Sequence, residues 1–355
     1  MYKPEGDIKT CKYIMIGEAP ARRELITGRP FMGDAGGVFD ECLDKAEIIR
    51  SQCYITNVFD FRVVKPKKKS KVYVWKEDEN EPPEYRLLFT SNKGFTLLGM
   101  ESVERLKKEI ENSNANVIVP MGNIAMDALC GRREIMKWRG SILESTLMCE
   151  TVSSGDNTIR QCRKCIPTIH PANALYGQYL SRYLITDDFK KAVKQSEFPE
   201  IIRPNYNFKL FPTFSECISI LNWIREKKLI SVDIEVASGK VSRISYAWSA
   251  LDAISIPYGD GNWTDEEETL LWIETAKTLE TEGIVKIFQN GPFDTHFLFN
   301  YHNIKVAGPI EDTMVAHSLL YPDFRKSLAF MTSIRTEQPY YKDIVKHGDV
   351  EKDDG

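Results

Sequence analysis

Leu229-Ile230-Ser231-Val232-Asp233-Ile234-Glu235, read together with Phe288-Gln289-Asn290-Gly291-Pro292-Phe293-Asp294, decides the fold of the second half of this chain. Side chains alternate along an extended strand, so Val232 and Ile234 share one face and Asp233 and Glu235 the other. Two carboxylates at one strand end repel each other unless water or a cation lies between them. A hard divalent ion with oxygen ligands suits such a pair, although an Asp-x-Glu tripeptide also occurs at solvated edges. A third carboxylate, Asp294, arrives at the predicted start of a helix, directly after the apolar run Ile284-Val285-Lys286-Ile287-Phe288. Three acids from separate elements form the donor set of a two-metal phosphodiester hydrolase.

Around that stretch the pattern predicts a strand at Asn207–Leu210 and a helix over Thr213–Glu226 with a threonine start signal. Strands at Ser242–Ser249 and Ala253–Pro257 follow, then a helix over Asp265–Glu280. Strands in succession followed by helices suit a ribonuclease H-like mixed sheet. In this order the motifs resemble the 3′→5′ proofreading exonuclease domain of family A DNA polymerases. Asp233 and Glu235 match its first motif, Asn290 and Asp294 its Asn-x-x-x-Asp, and Asp312-Thr313-Met314-Val315-Ala316-His317 its Asp-Thr helix.

The resemblance implies Mg2+ or Mn2+ held by Asp233, Glu235 and Asp294. It also implies a single-stranded DNA 3′ end near Asn290 and Phe293. A third motif, Tyr-x-x-x-Asp, would complete the metal site, and the tail Asp343–Gly355 has no such spacing. The domain is therefore expected to be incomplete at its C-terminus, weak or inactive alone, and served by a downstream polymerase polypeptide. The segment Glu311–Lys342 is similar to large bacteriophage-type family A polymerases.

The chain has 355 residues, long for one domain and comfortable for two. A net charge of −4 does not announce a nucleic-acid binder, so DNA contact must come from local patches. No apolar run is long enough to span a bilayer, and residues 1–7 lack a signal-peptide core; a cytoplasmic location without membrane contact is expected. Of the eight cysteines, Cys11, Cys42, Cys53, Cys130 and Cys217 read as core. Cys162 and Cys165, with Cys149 upstream, have the spacing of half a zinc or iron–sulfur site that His170 could complete.

Residues 1–198 read as alternating strand and helix. The predicted strands are Lys12–Ile16, Cys53–Val58, Asn116–Pro120 and Cys165–Ile169. The predicted helices are Ala35–Ile48, Ser102–Ile110, Asn123–Leu129 and Leu180–Val193. This order predicts a mostly parallel sheet with helices on both faces, three layers in all. Arg62–Lys71, with Lys65, Lys67, Lys68 and Lys69, is a solvated loop or a phosphate-contacting patch. It leads into a predicted hairpin over Val72–Phe95. Residues 199–206 form the linker, and the second domain is expected over 207–355.

Gly17-Glu18-Ala19-Pro20, Gly28–Gly33, Asn57 and His170-Pro171 fall at carboxyl ends of the predicted strands, where open α/β sheets place ligands. Phe31 can stack on a planar base, Asn57 can read a Watson–Crick edge, and His170 can donate to a carbonyl that gathers charge. That equipment suits a flipped-out nucleobase. Together these motifs resemble the uracil-DNA glycosylase superfamily, closest to its family 4, over roughly residues 10–195. The resemblance implies Glu18 (or Glu24) on the water side, Phe31 against uracil, Asn57 reading it and His170 stabilising the departing uracil anion. A uracil-containing strand is the implied partner. Two departures stand out: Ala21 replaces the glycine that ends the family pattern, and the family's iron–sulfur cysteines are not reproduced, so the cluster is not carried over.

Overall fold

The computed structural model describes residues 3–64, 71–74, 87–90, 93–154, 157–259 and 261–340. Lys65, Lys67, Lys68 and Lys69 lie outside the described residues. The chain divides into two units: Ile202–Leu328 form one, and the residues up to Ile201, with the described residues from Ala329 on, form the other. The division at Ile201 falls inside the stretch 199–206. Whereas the sequence pattern runs the second domain to 355, residues 329–340 group with the first unit.

In the first unit, strands β1 (Tyr13–Gly17) and β2 (Cys53–Asn57) pair in parallel. Four short strands, β3 (Val63–Val64), β4 (Lys71–Val74), β5 (Leu87–Thr90) and β6 (Gly94–Phe95), make a separate antiparallel sheet. The main sheet is completed by β7 (Val117–Pro120), β8 (Leu143–Ser154) and β9 (Asn157–Cys165), in the order β2-β1-β7-β9-β8. Only β8 runs antiparallel to its neighbour. Every residue of β1, β2 and β7 is buried, as strands covered on both faces require. Ile14, Ile16 and Ile118 pack against helices Leu97–Ile110 and Asn123–Cys130 through Leu106, Ile110, Ala125 and Leu129. Helices Asp34–Lys45 and Ser181–Ser196 pack together, with Phe39 and Phe189 edge to face at 5.9 Å.

Two expectations are corrected here. Ile166–Ile169 is not a strand: Pro167 lacks an N–H for the ladder, and only Thr168 bridges, to Met121. The strand instead ends at Cys165, as the return arm of a long hairpin that the sequence reading did not place. The half metal site also fails. Cys149 and Cys162 face each other across that hairpin and form a disulfide. Cys165, buried, contacts Cys130 instead, which with burial raises the Cys130 thiol pKa. Among the described residues no group of three His, Cys, Asp or Glu side chains is placed to hold one ion. Cys11 sits apart in the core, 3.5 Å from Ser113 Oγ, so these cysteines do not fit a four-cysteine cluster.

In the second unit β10 (Asn207–Lys209), β11 (Leu229–Ala237), β12 (Lys240–Ala247), β13 (Asp252–Pro257), β14 (Val285–Phe288) and β15 (Ile310–Asp312) form one sheet, ordered β10-β13-β12-β11-β14-β15. β11, β12 and β13 are an antiparallel meander, while β14 and β15 join in parallel. This is a mixed sheet of the ribonuclease H-like kind that the sequence pattern predicts. Helices Phe214–Ile224 and Asp265–Leu279 pack on each other, and each starts with a threonine–glutamate capping box. Val232 and Ile234 are buried in the core and Asp233 and Glu235 exposed, the alternation expected of this strand. No helix among the described residues is long and apolar enough to cross a membrane.

The first unit buries an ion pair completely: Arg139 and Asp188 are both 0% exposed. Removing one partner leaves a charge in low dielectric with nothing to offset it. Asp188→Ala should therefore lower unfolding free energy by about 3–5 kcal/mol in urea melts. Arg23→Ala, which breaks the exposed pair with Asp34, should leave the melt almost unchanged.

Candidate functional site

The carboxyl ends of β1, β2 and β7 meet where the sheet order reverses direction, since the chain places β2 on one side of β1 and β7 on the other. Gly17 ends β1 and pairs with Asn57, which ends β2. A Cβ on Gly17 would stand 2.2 Å from Asn57 Oδ1 and 2.9 Å from Phe31 Cζ. The amide and the phenyl ring therefore converge over the one residue that leaves them room. Val58 N–H donates to Gly17 O and Phe59 N–H to Glu18 O, at 3.0 and 2.9 Å, tying the two strand exits together. Arg105, from helix Leu97–Ile110, donates to the carbonyls of Asn57 and Val58 at 2.7 and 2.9 Å.

Phe31 is buried, stacks on Phe39 at 4.7 Å and lies 5.8 Å from the His170 ring. Its φ of 52° lies in the left-handed region that a bulky side chain rarely adopts. Such strain persists only where packing over-determines it. Gly36 contributes to that packing, because a Cβ there would sit 1.8 Å from Phe31 O. His170 precedes a short 3-10 turn, Pro171–Leu175, and its Nδ1 accepts the Ala172 N–H at 3.2 Å.

Glu18 is half-buried beside Gly17. Glu24 is buried, and its carboxylate accepts the Ala21 N–H. That bond commits Glu24 to the start of helix Arg22–Thr27. Ala21 has φ −86°, so alanine in place of the expected glycine brings no backbone strain. Gly17, Phe31, Asn57 and His170 are thus gathered at one end of the sheet. Sequence reasoning missed Arg105, whose only signal was a basic residue between the inward positions Val103 and Leu106.

The second constellation lies in the other unit. β14 pairs with β11 only as far as Ser231, which frees the edge of β11 beyond it. The chain turns at Asn290, in left-handed backbone, into helix Gly291–His302. From its first turn the Asp294 carboxylate fills the free edge and accepts the Ile234 N–H at 3.1 Å. Asp294 thereby lies between the positions of Asp233 and Glu235. Burial first, and then the charges of Asp233 and Asp312, push its carboxyl up to about 6.

Asp312 behaves differently. It accepts backbone N–H groups from Gly291 and Met314, both at 2.7 Å, and from Val315 and Asn290 at 3.2 and 3.3 Å. Burial alone would raise its pKa, but these donors hold it below the usual range. It therefore fixes the starts of helix Gly291–His302 and of helix Thr313–Leu320, which it N-caps. Phe293 is exposed one residue before Asp294. Asp233, Glu235 and Asp294 carry hard oxygens of the kind a divalent cation takes, but their side chains are not gathered around one ion position in this structure.

Residues 3–195 match the Uracil DNA glycosylase superfamily, and residues 213–342 match 3′-5′ exonuclease. The type-4 uracil-DNA glycosylases of Thermotoga maritima and Archaeoglobus fulgidus are each 28% identical, over 194 and 199 residues. These alignments cover 53% and 54% of this chain and 79% of each relative. Among solved structures, the Aedes aegypti Nibbler EXO domain is 17% identical with a TM-score of 0.27, over 34% of this chain. The chain spans 59% of that domain.

Two outcomes follow from this geometry. Gly17→Ala should displace the Asn57 side chain, shifting its side-chain amide resonances, at a cost of about 1–3 kcal/mol for overpacking. For Asp294 the sign is set by the raised pKa: the folded state binds the proton more tightly than the unfolded state. Folding is thus increasingly penalised as pH rises from about 4 to 6, and the penalty is complete above 6. In EDTA, Asp294→Asn should raise stability by on the order of 2–3 kcal/mol at pH 7.5 and by little at pH 4.

Proposed function

The chain belongs to the uracil DNA glycosylase superfamily through residues 3–195, and on that premise we propose that its first unit recognises uracil in DNA and cleaves the N-glycosidic bond. With the matched exonuclease domain, the chain is a DNA-acting hydrolase. The observation that carries the reading is the convergence of Asn57 and Phe31 over Gly17, with His170 beside the ring. Phe31 supports the flipped base and Asn57 pairs with its polar edge. As the C1′–N1 bond breaks, its electron pair moves onto uracil, and His170 stabilises the charge gathering on the carbonyl oxygen. Water takes the vacated C1′ from the Glu18 side and loses its proton to solvent or to Glu18.

The second unit we read as a 3′→5′ exonuclease of proofreading type, part of a family A polymerase system such as bacteriophages encode. Divalent ions at Asp233, Glu235 and Asp294 would activate water and stabilise the leaving oxygen. The protein's own part is to hold Asp294 on the edge of β11 and, through Asp312, to fix the helix that bears it. Asn290 and Phe293 stand at the start of that helix, where a single-stranded 3′ end would meet it. A DNA polymerase polypeptide is the partner we propose.

A 5′-labelled single strand with one internal uracil tests both halves. An alkali-dependent cut at uracil that survives EDTA is expected, reduced at least 100-fold by Asn57→Ala. Absence of that cut in the wild-type chain would overturn the glycosylase reading. Mg2+-dependent shortening from the 3′ end is expected, and should vanish in Asp233→Ala/Glu235→Ala. Shortening that persists in that double variant would overturn the exonuclease reading.

A further inference from the structure

We propose that residues 329–340, outside the segment that matches the glycosylase superfamily, position His170 through a buried chain of side chains: Ser333, Arg139, Asp188, Thr168. This rests on the reading of His170 as a uracil-site residue. Helix Leu328–Arg335 and the residues after it lie against the first unit, with Phe330, Met331 and Ser333 buried. Lys191 Nζ donates to the carbonyls of Ser333, Thr336 and Gly140, the last two at 2.6 and 3.0 Å. Tyr340 closes the segment, its N–H donating to Ser141 Oγ at 3.2 Å and its ring 5.4 Å from that of Trp138.

Within this contact Arg139 donates to Ser333 Oγ at 3.1 Å and, with two nitrogens, to both oxygens of Asp188. Asp188 Oδ2 also accepts the Thr168 hydroxyl at 2.7 Å. Thr168 is two residues before His170. Its backbone is held on both sides, by Pro120 O at 2.9 Å and Gly122 N at 2.8 Å, while Pro167 O accepts from Gly140 N at 2.8 Å. A fully buried guanidinium takes one position only if its donors are matched. The hydroxyl of Ser333 is thus part of what fixes Arg139. Arg139 in turn fixes the carboxylate that grips the His170 loop.

The test reads the ring resonances of the five histidines in the full chain, with His170→Asn identifying the His170 line. Thr168→Val keeps the shape and loses the hydroxyl, whereas Thr168→Ser keeps the hydroxyl. Thr168→Val and Ser333→Val should each move the His170 line, and Thr168→Ser should leave it in place. Uracil release should fall about 10- to 100-fold in the two valine variants, because displacement by a fraction of an ångström removes alignment. If Ser333→Val does not fold, Ser333→Ala gives the same readout with a smaller shift. An unmoved His170 line in the folded Ser333 variant overturns the inference. A wild-type chain that releases no uracil overturns the functional reading instead, and the resonance comparison still decides whether the segment positions His170.

Discussion

Gly17 has no side chain, and the candidate base site exists because of that. β1 and β2 run side by side and in register, so the residues that end them, Gly17 and Asn57, face each other at the edge of the sheet. Any Cβ on Gly17 would occupy the space of the Asn57 amide and crowd the Phe31 ring. The remaining features serve the same corner. Arg105 holds the carbonyls of Asn57 and Val58, and Gly36 lets the strained Phe31 backbone approach its helix. The β1 strand itself is buried on both faces and has little freedom to shift. A rigid sheet edge thus holds a flat ring and an amide together at one corner of the first unit.

The second unit uses a related device with the opposite chemistry. A parallel partner that stops early leaves one strand edge open, and a helix-borne carboxylate closes it. That places Asp294 in a poorly solvated position next to other acids, at a cost that a cation would offset. At Asp312 burial exacts a similar penalty, but four backbone donors more than offset it. Two neighbouring carboxylates are thereby sorted by environment: Asp294 is buried with its pKa raised, and Asp312 is committed to the scaffold.

Much of this was legible in the sequence. Tyr13–Gly17 and Val117–Pro120 are apolar without alternation, the signature of strands covered on both faces, and Val232/Asp233/Ile234/Glu235 alternate as a half-exposed strand must. Of the candidate site residues, Gly17 and Asn57 do end strands, whereas Phe31 and His170 lie in loops that glycine and proline mark in the sequence. The β8–β9 hairpin was not, since its polar and apolar residues do not alternate cleanly and its register breaks between Glu144 and Cys149. Ile166–Ile169 misled because burial and extended backbone look alike in sequence whether or not a ladder forms. The grouping of residues 329–340 with the first unit was invisible to any local rule: Ser333 lies 194 residues from Arg139, and no periodicity announces such a contact. Asp312 as a double cap was half legible, since Asp before Thr-Met-Val is an N-cap signal, but its bond to Gly291 N–H is long-range.

The central claim is that Asn57, Phe31 and His170 form one uracil-binding volume. The most direct measurement is a titration of free uracil into the isotope-labelled chain, following the side-chain amide of Asn57 and the ring of His170. The account predicts saturable shifts of both with one common affinity, lost together in Gly17→Ala. Unmoved resonances at saturating uracil, or shifts at the two residues with unrelated affinities, would contradict it.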